Sequence, residues 1–98
     1  MIGYVYKTIN LLNGKIYVGQ HNSKIFDINY YGSGKIIKRA LHKYGIKNFK
    51  CEIIEECDSL EELNEKEIYW ISKLDALNPE IGYNIANGGN KLSMSRNS

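Results

Sequence analysis

Two short alternating apolar runs meet at Asn13-Gly14, and that dipeptide commits the start of the chain to a β-hairpin. Both residues tolerate the positive φ that a type I′ turn needs. A two-residue loop of Asn13 and Gly14 sets Leu12 opposite Lys15, Tyr17 opposite Asn10, Gly19 opposite Thr8 and His21 opposite Tyr6. Side chains alternate across a strand. Val5, Ile9, Leu11, Ile16 and Val18 therefore share one face, which reads as core. Tyr6, Thr8, Asn10, Tyr17 and His21 share the other, around a glycine that leaves room for something to approach.

Length bounds the answer to one domain: 98 residues, 43% of them hydrophobic, with a single proline. No apolar stretch approaches the roughly 20 residues of a membrane span. The N-terminal residues lack the basic and apolar regions of a secretory signal. Cys51 and Cys57 are too few for a disulfide framework or a zinc site, and fit a reducing, cytoplasmic compartment.

The net charge of +2 conceals an asymmetry. Residues 1–50 hold nine Lys or Arg against one acid, Asp27, whereas residues 51–98 hold four against ten. A basic half suits a polyanion-binding surface, because phosphate neutralisation drives nucleic-acid affinity. An unevenly charged, solvated protein is the plain alternative.

The pattern predicts strands over residues 4–10 and 16–20, then an irregular connector over 21–34 that ends in Tyr30-Tyr31-Gly32-Ser33-Gly34. A helix is expected from Lys35 to Tyr44, stopped by Gly45. Its apolar stripe is Ile36, Ile37, Ala40, Leu41 and Tyr44, with Lys35, Lys38, Arg39 and His42 opposite. Residues 49–56 alternate as a third strand. A second helix opens at Asp58-Ser59, where Ser59 and Glu62 stand at capping-box spacing, and runs to about residue 74. Residues 82–86 form a short return strand or loop, and the polar tail 91–98 reads as a linker.

One acid is out of place. Leu60, Leu63, Glu67, Trp70 and Leu74 step by three and four residues, so Glu67 occupies a slot on the apolar stripe of the second helix. A carboxylate there needs compensation. Either it lies at the stripe's edge and reaches water or a lysine, or it points toward the tyrosine face and holds a hard cation such as Mg²⁺.

Tyr4-Val5-Tyr6, ten intervening residues and Tyr17-Val18-Gly19 resemble the paired signature of the GIY-YIG nuclease superfamily. Residues 45–49, the Glu67-Ile68-Tyr69-Trp70-Ile71 helix and Gly82-Tyr83-Asn84-Ile85-Ala86 are similar to later blocks of its phage and homing-endonuclease branch. The resemblance spans roughly residues 3–90. It implies a small α+β domain, a three-stranded antiparallel sheet flanked by helices, that hydrolyses a DNA phosphodiester with one Mg²⁺, or Mn²⁺ in its place. By position it makes Tyr6 and Tyr17 the active-site tyrosines, Glu67 the metal ligand and Asn84 a supporting polar residue. It also implies a phage-encoded protein acting in a bacterial host. Tyr6 would activate water only if its pKa fell well below about 10.

The family's arginine, ten residues after the second tyrosine, is Asp27 here. His21 and Arg39, then Lys35, are the candidates to replace it. Lys38 and Tyr31 are expected near the DNA phosphates, while Tyr30, Tyr44, Tyr69, Tyr83 and Trp70 read as structural. The missing arginine motivates a second reading, an impaired nuclease that only grips DNA or a protein, and the acidic helix a third, a structural partner. A 98-residue core has little surface for reading many base pairs, so a further DNA-binding module after Ser98 is expected.

Overall fold

The computed structural model describes residues 1–86 and Gly88. Strands β1 (Gly3–Asn10), β2 (Ile16–His21) and β3 (Phe49–Cys57) form one antiparallel sheet in the order β2-β1-β3. Helix α1 (Lys35–Tyr44) follows the connector, and α2 (Leu60–Lys73) follows β3. Gly45 ends α1 with φ of 87° and its N–H on Leu41 O. Ser59 Oγ caps α2 by accepting from Glu62 N at 3.1 Å, while Glu62 Oε1 accepts from Asp58 N at 2.8 Å, one residue before the expected donor. The polar tail expected from residue 91 lies outside the described residues.

The hairpin register differs from the expected one by two residues. Tyr6 pairs with Gly19, Thr8 with Tyr17 and Tyr4 with His21. The loop is four residues, 11–14, closed by Gly14 N–H on Asn10 O at 2.7 Å. Only Gly14 takes positive φ there, so the turn is not type I′. Asn10 Oδ1 instead accepts from Leu12 N and Asn13 Oδ1 from Lys15 N, both at 2.9 Å. Leu11 N–H leaves the hairpin for Asn48 O, and Leu11 is 59% exposed rather than core. A shift of two preserves which side chains share a face.

Both faces are covered. Val5 and Val18 pack against Leu63 and Ile71 of α2 on one side. On the other, Ile37 and Ala40 of α1 form a second cluster with Phe49, Tyr17 and Tyr31. Tyr4, Tyr6, Thr8 and Asn10 are buried there, so the β1 part of the tyrosine face is closed, while Tyr17 and His21 on β2 stay partly exposed. The α2 stripe is Leu63, Glu67 and Ile71; Leu60 is exposed, and Trp70 is half-buried with its indole N–H on Glu55 Oε1 at 2.9 Å. Tyr69, expected to be structural, is exposed.

After α2 the chain returns along the outer edge of β2. Ile16 N–H donates to Ile81 O at 3.0 Å and Tyr83 N–H to Ile16 O at 2.8 Å, a single parallel bridge at Gly82. Gly82 lies on backbone: a Cβ there would come within 2.7 Å of Ala76 Cα and 2.9 Å of its carbonyl carbon. Backbone cannot rotate aside as a side chain can. Gly82→Ala is therefore expected to destabilise the fold by about 2–3 kcal/mol, read by urea unfolding.

Candidate active site

At the outer edge of β2 lies a cleft of about 140 Å³ lined by Tyr17, Gly34, Lys35, Glu67, Tyr83 and Gly88, among others. Tyr17 reaches it from the α1 side of the sheet and Glu67 from the α2 side, so the two meet around the edge strand rather than on one face. Glu67 thus approaches the tyrosine face at Tyr17, at its β2 edge.

Three features fix Glu67, which is 8% exposed. Gln20 lies on the Val18 side of β2, and its Nε2 donates to Glu67 Oε1 at 2.9 Å and to Asn64 Oδ1 at 2.7 Å. Both hydrogens of that amide are thereby used. Gly88, with φ of 95°, covers the carboxylate so closely that a Cβ would stand 3.1 Å from Oε1. Ile71 closes the far wall.

Tyr17 is held by the Gly-Ser-Gly turn. A Cβ on Gly32 would come within 2.9 Å of its ring, and one on Gly34 within 3.1 Å of its hydroxyl. The Gly34 backbone amide beside the phenol oxygen favours phenolate; burial and the nearby Glu67 outweigh it, and the Tyr17 pKa is pushed up to about 12.

Tyr6 is not part of this cleft. It is 1% exposed, lies over Gly19, and has ring centroids 6.2 Å from Tyr17 and 5.6 Å from Tyr30. Burial, then the Tyr17 and Tyr30 phenols, raises its pKa far above the ordinary value. The sequence-based requirement of a lowered Tyr6 pKa is thus reversed by its surroundings.

The other expected residues scatter. His21 stacks flat on Tyr30, centroids 3.8 Å apart at 8°, and its Nε2 lies 3.4 Å from Asp27 Oδ2. It faces Tyr4, not Tyr6, because of the register shift. Asp27, at the family's arginine position, is engaged there, and its backbone N–H donates to the Tyr4 hydroxyl at 3.0 Å. Lys35 lines the cleft; Lys38 and Arg39 are exposed further along α1 and do not. Tyr31, partly buried, packs against the α1 cluster and does not line the cleft. Asn84 is 8% exposed and turned to the protein: its Oδ1 accepts from Val18 N at 2.9 Å and its Nδ2 donates to Val18 O at 2.7 Å. It holds the edge strand rather than standing ready for substrate.

Sequence reasoning passed over Gln20 and Gly88, and it read Tyr30, which packs on Tyr6 and His21, as structural. Gln20 is detectable as a polar residue on the apolar face of β2; no local signal marks Gly88.

A family model described as the GIY-YIG catalytic domain matches residues 2–84. The chain belongs to the GIY-YIG family. It is 43% identical over 89 residues to segB of Enterobacteria phage T4, covering 91% of this chain and 40% of that protein. To endonuclease segA of the same phage it is 34% identical over 86 residues, 88% and 38% of the two chains. This GIY-YIG domain thus spans about two-fifths of those relatives. Its fold matches the catalytic domain of the intron endonuclease I-TevI, in a glutamate-to-alanine variant, with a TM-score of 0.73, 28% identity and coverage of 93% and 100%. A second structure, the catalytic domain of the homing endonuclease I-TevI, matches at a TM-score of 0.65 with 29% identity, over 86% of this chain and 98% of that one. No helix among the described residues is long and apolar enough to cross a membrane.

Proposed function

We propose that this GIY-YIG domain is the cleaving part of a DNA endonuclease and hydrolyses phosphodiester bonds at the cleft beside β2. The observation that carries this reading is the convergence of Tyr17 and Glu67, from opposite sides of the sheet, on one small cleft. The likeness to the I-TevI catalytic domain and to segA supports it.

The residues fit a magnesium ion. Glu67 offers a hard carboxylate held in place by Gln20, and Mg²⁺ is bound by one or two carboxylates, waters and substrate phosphates. No cluster of three or more His, Cys, Asp or Glu suited to a metal occurs among the described residues, as an all-protein cage would need. Bound at Glu67, the ion would supply positive charge to the phosphoryl oxygens and the departing 3′ oxygen.

The chain itself supplies position. Tyr17 lines the cleft as a neutral phenol, and its O–H orients the attacking water or a phosphoryl oxygen. Water oxygen adds to phosphorus and gives its proton to bulk water, the bond to the 3′ oxygen breaks, and that oxygen takes a proton from solvent to leave as the 3′ hydroxyl. Tyr6 supports Tyr17 from beneath. The exposed basic side of α1, with Lys38, Arg39, His42 and Lys43, follows the DNA backbone.

Supercoiled plasmid incubated with the protein and Mg²⁺ or Mn²⁺ is expected to give nicked or linear product; no cutting with either ion would favour the binding-module reading, which Asp27 in place of arginine motivates. Tyr17→Phe should lower single-turnover cleavage on the order of 100-fold, the scale of one lost transition-state donor. Tyr6→Phe should lower it by under tenfold. Equal losses would return Tyr6 to the reaction.

A further inference from the structure

A side-chain cation against the phosphoryl oxygens stabilises the charge that develops in phosphodiester hydrolysis, and the position where the resemblance implies one holds Asp27. We infer that Lys35 takes that role, its ammonium group contacting a non-bridging oxygen of the scissile phosphate. The inference rests on the endonuclease reading and names a residue that reading left open.

Location is the first argument. Among the described residues lining the cleft with Tyr17 and Glu67, Lys35 is the one cation. It directly follows Gly34, which packs against the Tyr17 ring and hydroxyl, so the backbone that seats the phenol also delivers the lysine.

Helix electrostatics is the second. Lys35 is the first residue of α1, where the aligned peptide dipoles place positive charge and an acid would be favoured. The first turn contains no acid, and Gly34 provides no side-chain cap. Lys35 forms no ion pair among the described residues. A lysine there works against helix stability, and an anion in the cleft would relieve both the ammonium group and the exposed amides of the first turn.

The competing cations are placed elsewhere. His21 is engaged by Asp27 and lies flat against Tyr30. Arg39 stands four residues along α1, a rise of about 6 Å, outside the cleft lining. The His21–Asp27 pair also shows how an acid is tolerated where the family has its arginine: it is occupied on the far side of Tyr6 from the cleft.

The test compares Lys35→Met, Lys35→Arg, Arg39→Met and His21→Gln in single-turnover cleavage and in DNA binding across a salt series. Lys35 is exposed, so Lys35→Met should fold normally, checked by circular dichroism and thermal unfolding. Lys35→Met is expected to lose on the order of 100-fold in cleavage rate while DNA affinity falls by under tenfold. Lys35→Arg should stay within about tenfold of the parent, because charge is kept though geometry changes. Arg39→Met should chiefly weaken binding and reduce the salt slope by about one unit. Lys35→Met cutting within threefold of the parent overturns the assignment, as does a 100-fold loss confined to Arg39→Met or His21→Gln. Parent protein that fails to cut overturns the endonuclease reading and the assignment with it, a result distinct from an active Lys35→Met.

Discussion

Glu67→Gln should leave the domain folded and nearly abolish cleavage, by on the order of 1000-fold or more. The isosteric amide keeps an oxygen to accept from Gln20 Nε2 at its present 2.9 Å, so the packing of α2 on Val5 and Val18 survives. What disappears is the negative charge with which Glu67 would hold a cation, and the positive charge such an ion would supply runs to several kcal/mol of barrier. The measurement is plasmid cutting over a Mg²⁺ titration beside a thermal unfolding curve. Cleavage within tenfold of the parent, with unchanged metal dependence, would remove Glu67 from the reaction.

Asn84→Ala should fail in a different way. Its side-chain amide closes both hydrogen bonds on Val18, which is fully buried. Truncation leaves a buried N–H and C=O without those partners, and each such loss costs about 1–3 kcal/mol. We expect about 2–4 kcal/mol of destabilisation, on the order of 10 °C or more in Tm. Cleavage falls too, since Val18 adjoins Tyr17 in β2. A variant of parental stability with only a raised KM would instead make Asn84 a substrate contact.

These two residues also show where the sequence was readable. Glu67 announced itself because a helical stripe has a fixed period, and a carboxylate in an apolar slot is a local anomaly. Tyr17 followed from alternation, which survives a register error of two. The register itself failed because it was decided at a distance: Leu11 gives its N–H to Asn48, thirty-seven positions away, and that pull lengthened the turn. Distance also defeated the reading of Tyr6 and Tyr31. Residue type and spacing marked Tyr6 as reactive and Tyr31 as phosphate-facing, yet Tyr6 is buried and Tyr31 is partly covered against α1, and burial is a property of the packed pair rather than of either segment. Lys35 was visible but ranked behind His21 and Arg39, because no pattern revealed that Asp27 would engage His21. The elements themselves came close to their expected bounds, because caps such as Ser59 and Gly45 act over only a few residues.

The return segment that hooks Val18 has a consequence for behaviour in solution. A sheet ending in an open strand offers a ladder on which another chain can add itself. Here the β2 border is already occupied by residues 81–84, through two main-chain bonds and one amide. The opposite border, β3, instead bears Lys50, Glu52 and Glu55, tied into ion pairs with one another and with Lys7 and Lys66. One flank is latched and the other fenced with charge, which keeps so small a domain from polymerising strand to strand.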